Sequence, residues 1–266
     1  MRDITWDRLW QLGGVVAVVM SVVGCTSTNS DVRTASDETS MDRRANVRLE
    51  LATAYFSRGQ HTVALDEVKQ VLVARPDDAV ALNLRGLIYA AMEEHGLAEE
   101  SFARAVSMSS GQNGDVLHNY GWYLCQRGRF SDAQARFEQA VMLPSYRTVA
   151  RTRLAQGVCL ARDGRLLEAE GTLHKAFEMD PGNPSVNLNL AEVLYRRGDY
   201  DRARFYVRRV NAVEETTNAQ SLWLAIRIER RAQQFTQMRQ FGRKLATQFA
   251  TSPEAQLYEK GQFDDR

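Results

Sequence analysis

The stretch GWYLCQRGRFSDAQARFEQAV, residues 121–141, decides the fold. Its first half is largely apolar up to Cys125 and stops at Gln126-Arg127-Gly128, and its second half sets Ala133 four residues before Phe137. Positions i and i+4 share one face of a helix, so the second half presents a small and a large apolar residue to the same neighbour. Gly128 stands where a helix ends in left-handed backbone. The pattern predicts two helices joined by a short turn, with the small residue permitting close approach and the large one filling the adjoining space.

The same plan recurs in AYFSRGQHTVALDEVKQVLVARP (54–76), LIYAAMEEHGLAEESFARAV (87–106), GVCLARDGRLLEAEGTLHKAFEMDP (157–181) and EVLYRRGDYDRARFYVRRV (192–210). Ala64/Val68, Ala98/Phe102, Ala169/Leu173 and Ala203/Val207 repeat the small-then-large pair, and Gly59, Gly164 and Gly198 repeat the turn glycine. Twelve positions before each Ala lies another small residue: Ala52, Gly86, Gly121, Gly157 and Ala191. A weaker sixth unit runs through Thr217–Thr251, with Trp223-Leu224-Ala225 in its first helix and Phe241 in its second, but without the turn Gly or the Ala. Ser252-Pro253-Glu254 reads as a helix start, with Ser as cap and Pro at the first helical position, opening a short helix through about Lys260.

These marks resemble the tetratricopeptide repeat, a helix-turn-helix unit with a period of about 34 residues. Pro76 and Pro181 fill its closing position, Pro144 comes one place early, and small insertions fall near Gly111–Gly114 and Tyr146–Thr148. The expected fold is all-α: a right-handed superhelical solenoid of about six such repeats in a domain at 43–266. The repeats fall at about 45–78, 79–112, 114–147, 150–183, 184–217 and 218–251, followed by a capping helix.

First helices of a stacked solenoid line its concave face, where binding takes place. The repeat frame points Leu49, Thr53 and Phe56 inward from the first unit, Asn83, Leu87 and Ala90 from the second, and His118, Asn119 and Trp122 from the third. Leu154, Val158, Leu188 and Tyr195 follow from the fourth and fifth, although Leu154 and Leu188 also suit packing between repeats. A lining of apolar and amide groups suits an extended or helical peptide with apolar anchors.

The amino terminus reads differently. Arg2 and Arg8 precede Leu12–Val23, an apolar run of about a dozen residues, where crossing a bilayer as a helix takes roughly 20. That length fits the apolar region of an export signal, expected at 1–24, with Gly24 at the cut. Val22-Val23-Gly24-Cys25 resembles the bacterial lipobox, which implies acylation of Cys25 and a membrane anchor without a spanning helix. The alternative is a plain signal peptide with an incidental cysteine. By the same resemblance, Thr26 rather than Asp after the cysteine implies release to the outer membrane. Residues 25–42, rich in Ser, Thr, Asp and Asn, cannot bury enough surface to offset their ordering and are expected to form a tether.

Cys125 and Cys159 lie near the ends of neighbouring first helices, and an exported chain meets an oxidising compartment. They form either a bridge between the third and fourth repeats or two small buried hydrophobes. A near-neutral net charge of +1 in 266 residues, 25% of them charged, speaks against nucleic acid as the main partner. His61, His95, His118 and His174 are scattered without ligand partners, so no metal site is expected, and no phosphate loop or nucleophile elbow occurs. No catalytic residues, cofactor or small-molecule substrate are expected, and the chain is read as a non-enzyme.

A lipobox, a polar tether, about six repeats, the run NYGWYLCQRGRFSDAQARFEQA (119–140) and a second Cys in GVCLARDGR (157–165) together resemble the PilF/PilW pilotins of type IV pilus biogenesis. The resemblance extends from about Val15 to Pro253. It implies a lipid-anchored protein on the periplasmic face of the outer membrane that binds the type IV pilus secretin and promotes its localisation and multimer assembly. It also favours contacts toward the first repeats, at Leu49, Phe56, Asn83 and Leu87. The competing expectation on the same fold is a lipoprotein scaffold that recruits peptidoglycan-remodelling enzymes.

Overall fold

A computed structural model describes residues 39–263. The expected signal peptide and Cys25 lie outside the described residues, as does most of the expected tether. Thirteen α-helices and one short 3-10 turn, with no strand, make up the secondary structure of the described residues. They pair as α1 (Ser40–Ser57) with α2 (His61–Ala74), α3 (Ala79–Ala91) with α4 (His95–Met108), and α5 (Gly114–Gln126) with α6 (Phe130–Met142). Then come α7 (Val149–Arg162) with α8 (Leu166–Met179), α9 (Pro184–Arg196) with α10 (Tyr200–Asn211), and α11 (Ala219–Arg231) with α12 (Phe235–Gln248). The single helix α13 (Pro253–Glu259) closes the series. This is the six-repeat solenoid with a capping helix. Helix α1 starts at Ser40, so the last three residues assigned to the tether are helical.

Local chemistry sets the helix ends. Asp78, Asn113, Asn183 and Asn218 precede α3, α5, α9 and α11, and each side chain accepts from one or two N–H groups of the first turn. Such caps satisfy donors that have no partner inside the helix. First helices end in left-handed backbone at Gly59, Gly128, Gly164 and Gly198, and at Glu93 and Gln233 in the second and sixth repeats. The turn glycine is therefore replaceable in this fold, at a local steric cost.

Packing within each pair turns on one contact. A methyl group added at Gly86 or Gly121 would stand 2.9 Å from the ring of Phe102 or Phe137, and one at Gly157 would stand 2.5 Å from the Leu173 side chain. Where the first helix carries Ala instead, at Ala52 and Ala191, the facing residue shrinks to Val68 or Val207, and all four are essentially buried. A larger residue on the first helix is thus met by a smaller one on the second, as dense packing requires.

The sixth repeat inverts this device. Its register puts Ile226 in the small position and Gly242 in the large one. The space above Gly242 is taken by the Tyr258 ring of α13, 2.0 Å from where a Cβ would stand. The exchanged small and large residues of the sixth repeat are thus a repacking around the capping helix.

Neighbouring repeats are joined by different means. Phe102 of α4 stacks on Tyr120 of α5 with centroids 5.5 Å apart, and Tyr123 lies 5.3 Å away. Cys125 of α5 and Cys159 of α7 form a disulfide with Cα atoms 5.8 Å apart. Glu229 of α11, only 1% exposed, accepts from Arg204 and Arg208 of α10 at 3.0 and 2.9 Å. A buried carboxylate with two guanidinium partners is tolerated because its oxygens are satisfied, and removing either arginine would leave one buried carboxylate oxygen without its partner.

Gly121→Ala should destabilise the fold by about 1–3 kcal/mol through overpacking against Phe137. Phe137→Val should also destabilise, by opening a cavity. Combined, the two recreate the Ala/Val pair of the first and fifth repeats, so the double variant should lose at least about 0.5 kcal/mol less than the sum. Urea unfolding measures this, and strict additivity would mean that the two positions do not share space.

Candidate functional site

The first helices of the second to fifth repeats enclose a cleft of about 620 Å³. Leu87 comes from α3, His118, Asn119 and Trp122 from α5, Leu154 and Val158 from α7, and Arg151, Ala155 and Asn189 complete the lining. Arg151, Leu154, Ala155 and Val158 are i, i+3, i+4 and i+7 on one helix face. The same periodicity, applied at every position, is the signal by which Arg151 and Ala155 are legible. Asn189 lies on α9, one residue beyond Leu188.

Other residues expected in the groove sit elsewhere. Leu49 and Phe56 are half-buried and pack into the core of the first repeat pair. Thr53 is exposed and donates its hydroxyl to the Leu49 carbonyl, 2.8 Å away. Asn83 is 9% exposed and works from beneath the cleft, its Oδ1 accepting from Asn119 Nδ2 at 3.3 Å. Ala90 packs half-buried against the cluster around Phe102. Tyr195 is not on the surface at all: it is 5% exposed in the core of the later repeats, with the Arg227 guanidinium over its ring at 4.5 Å. A large ring at this position gains more from burial than from facing the groove.

Beneath the cleft floor lies a polar chain. Thr152 Oγ1 is 2.8 Å from His118 Nδ1 and 2.7 Å from Tyr146 Oη. Tyr146 belongs to the inserted loop between the third and fourth repeats and packs on Gly114, where an added Cβ would fall 2.2 Å from its ring. The insertion therefore has a structural task, holding α5 and α7 in register. His118 is 5% exposed, and burial, with the Arg151 charge adding to it, pushes its pKa down to about 4. A neutral imidazole accepting at Nδ1 from Thr152, which accepts from Tyr146, fits this arrangement.

The cleft offers apolar walls, an indole and amides, with one guanidinium at the rim where Arg151 lies 3.8 Å from Asp115. Such a lining suits an extended or helical peptide with apolar anchors. Among the described residues no group of three or more His, Cys, Asp or Glu is placed to hold a metal ion.

Two tetratricopeptide-repeat family models match, one at residues 49–113 and 121–184 and the other at 160–223. The type IV pilus assembly protein PilF of Pseudomonas aeruginosa is 26% identical over 214 residues, spanning 80% of this chain and 84% of that protein. The crystal structure of PilW, a widely conserved type IV pilus biogenesis factor, superimposes with a TM-score of 0.74 at 26% identity, over 80% of this chain and 96% of that one. A solved structure of Pseudomonas aeruginosa PilF shares the fold with a TM-score of 0.72 at 24% identity, over 84% of this chain and all of that one.

His118 gives the fold a defined acid sensitivity. The unfolded chain takes up a proton near pH 6.5, whereas the folded chain resists until about 4. The full contribution is present above about pH 6.5 and is lost as pH falls toward 4. At pH 5 the loss should be about 2 kcal/mol relative to pH 7.5. Urea unfolding at the two pH values should show that difference shrinking by about this amount in His118→Gln, and an unchanged pH dependence would place the titration elsewhere.

Proposed function

The chain is a tetratricopeptide-repeat protein of the PilF/PilW kind, and on that premise we propose that it is a non-catalytic lipoprotein of type IV pilus assembly. In this reading it binds the pilus secretin subunit and promotes its multimer assembly at the outer membrane. The observation that carries the proposal is the similarity to PilF over four-fifths of the chain. The cleft between Leu87, Trp122, Leu154 and Val158 supports it as a place for a partner segment.

Anchor and groove divide the work. None of the described helices is long and apolar enough to cross a membrane. Acylation of Cys25 would supply attachment, each buried methylene contributing about 0.8 kcal/mol and two or more chains making it durable. Tethering the groove to the membrane raises the partner's effective concentration there without further contacts. The Cys125–Cys159 disulfide fits a periplasmic address, where such bonds persist. Closing a loop of this length stabilises a fold by roughly 3–4 kcal/mol.

Deletion of the gene, followed by immunoblotting of unheated membranes, tests the proposal. Secretin multimers should fall sharply and return with the wild-type chain. Unchanged multimers together with normal pili would overturn it.

A further inference from the structure

The concave surface carries a second recess, of about 670 Å³, walled by α9, α11 and α13. The third wall exists because Gly242 leaves room for Tyr258, which seats α13 beside α11 and α12. Leu188, Trp223 and Leu257 give the recess apolar sides, one from each helix. Glu192 on α9 and Glu254 on α13 face it as well, both half-buried, and neither is paired with a cation among the described residues. The basic group of the lining, Arg227, lies over the Tyr195 ring. Carboxylates thus outnumber guanidinium groups by two to one here. The cleft of the earlier repeats has no carboxylate in its lining, and its one guanidinium, Arg151, lies 3.8 Å from Asp115 at the rim.

We infer that this recess binds a lysine or arginine side chain carried by an extended partner segment, next to an apolar residue of the same segment. A long basic side chain lays its hydrocarbon stem on apolar walls and keeps its charged head at a polar rim. An indole is the best of the aromatic partners for a cation, and two half-buried carboxylates, one on α9 and one on α13, can add a charge-assisted pair. An acidic residue would be repelled, and a purely apolar one would cover the carboxylates without giving them a partner. Asn189 lines both this recess and the cleft, so one segment can run through the two. Its Nδ2 donates to the Ser185 carbonyl at 2.8 Å, which leaves Oδ1 to accept from a main-chain N–H. The proposal concerns the chemistry of the segment and stands whichever protein supplies it.

Fluorine NMR on the full chain labelled with 5-fluorotryptophan tests this, because the cleft and the recess each hold one of the four tryptophans, Trp122 and Trp223. Trp122→Phe and Trp223→Phe assign the two signals. Acetyl-Leu-Lys-Leu-amide should shift the Trp223 signal saturably, and acetyl-Leu-Glu-Leu-amide should do so at least tenfold more weakly. In the double variant Glu192→Gln/Glu254→Gln that preference should disappear. The charge-swapped peptides on the wild-type chain decide the matter even if the double variant does not fold. Equal responses to the two peptides, or no response at Trp223, overturn the inference. A shift confined to Trp122 overturns it while leaving the cleft intact as a docking site.

Discussion

Gly121 and Phe137 meet across α5 and α6 with no room for a methyl group between them, and the same contact, as Gly/Phe, Gly/Leu or Ala/Val, recurs through the first five repeats. Everything else follows from that close approach. It fixes the angle at which a second helix lies on its first, and so fixes which faces of the first helices remain for the neighbouring repeat and for the groove. Ala52/Val68 and Ala191/Val207 solve the same volume problem with a methyl added on the first helix and a smaller side chain on the second. Packing at this density explains why the pattern can be read in a single chain without relatives.

Between repeats the joints are individual. An aromatic stack joins the second and third, a disulfide and the His118–Thr152–Tyr146 chain join the third and fourth, and Glu229 with two arginines joins the fifth and sixth. The most elaborate joint lies directly under the cleft. Orienting Trp122 and Leu154 requires that α5 and α7 not slide, and a covalent bond at one end with a buried hydrogen-bonded chain at the other prevents it. A docking surface built on rigid elements loses less entropy on binding than one built on loops.

Much of this was legible in the residues. The helix pairs, their turns and the capping helix follow from the Ala, large apolar and Gly spacing, and Leu87, His118, Asn119, Trp122, Leu154 and Val158 point into one cleft as the repeat frame requires. Tyr195 and Asn83 did not follow the frame. A position counted as inward can still drop into the interface when its ring or amide finds partners there, and that depends on neighbours far apart in sequence. The sixth repeat was hardest to read because its small and large residues are exchanged, with Tyr258 from outside the repeat completing the contact. The recess lined by Trp223 was hidden for the same reason.

The central claim proposed for this protein is that its concave cleft holds a pilus-assembly partner. Site-specific photocrosslinking in cells tests that most directly, with a benzoylphenylalanine in place of Trp122 in the cleft or of Leu167, which is 69% exposed. An adduct with the secretin is expected from position 122 and none from position 167. An adduct only from position 167, or from neither, would contradict it.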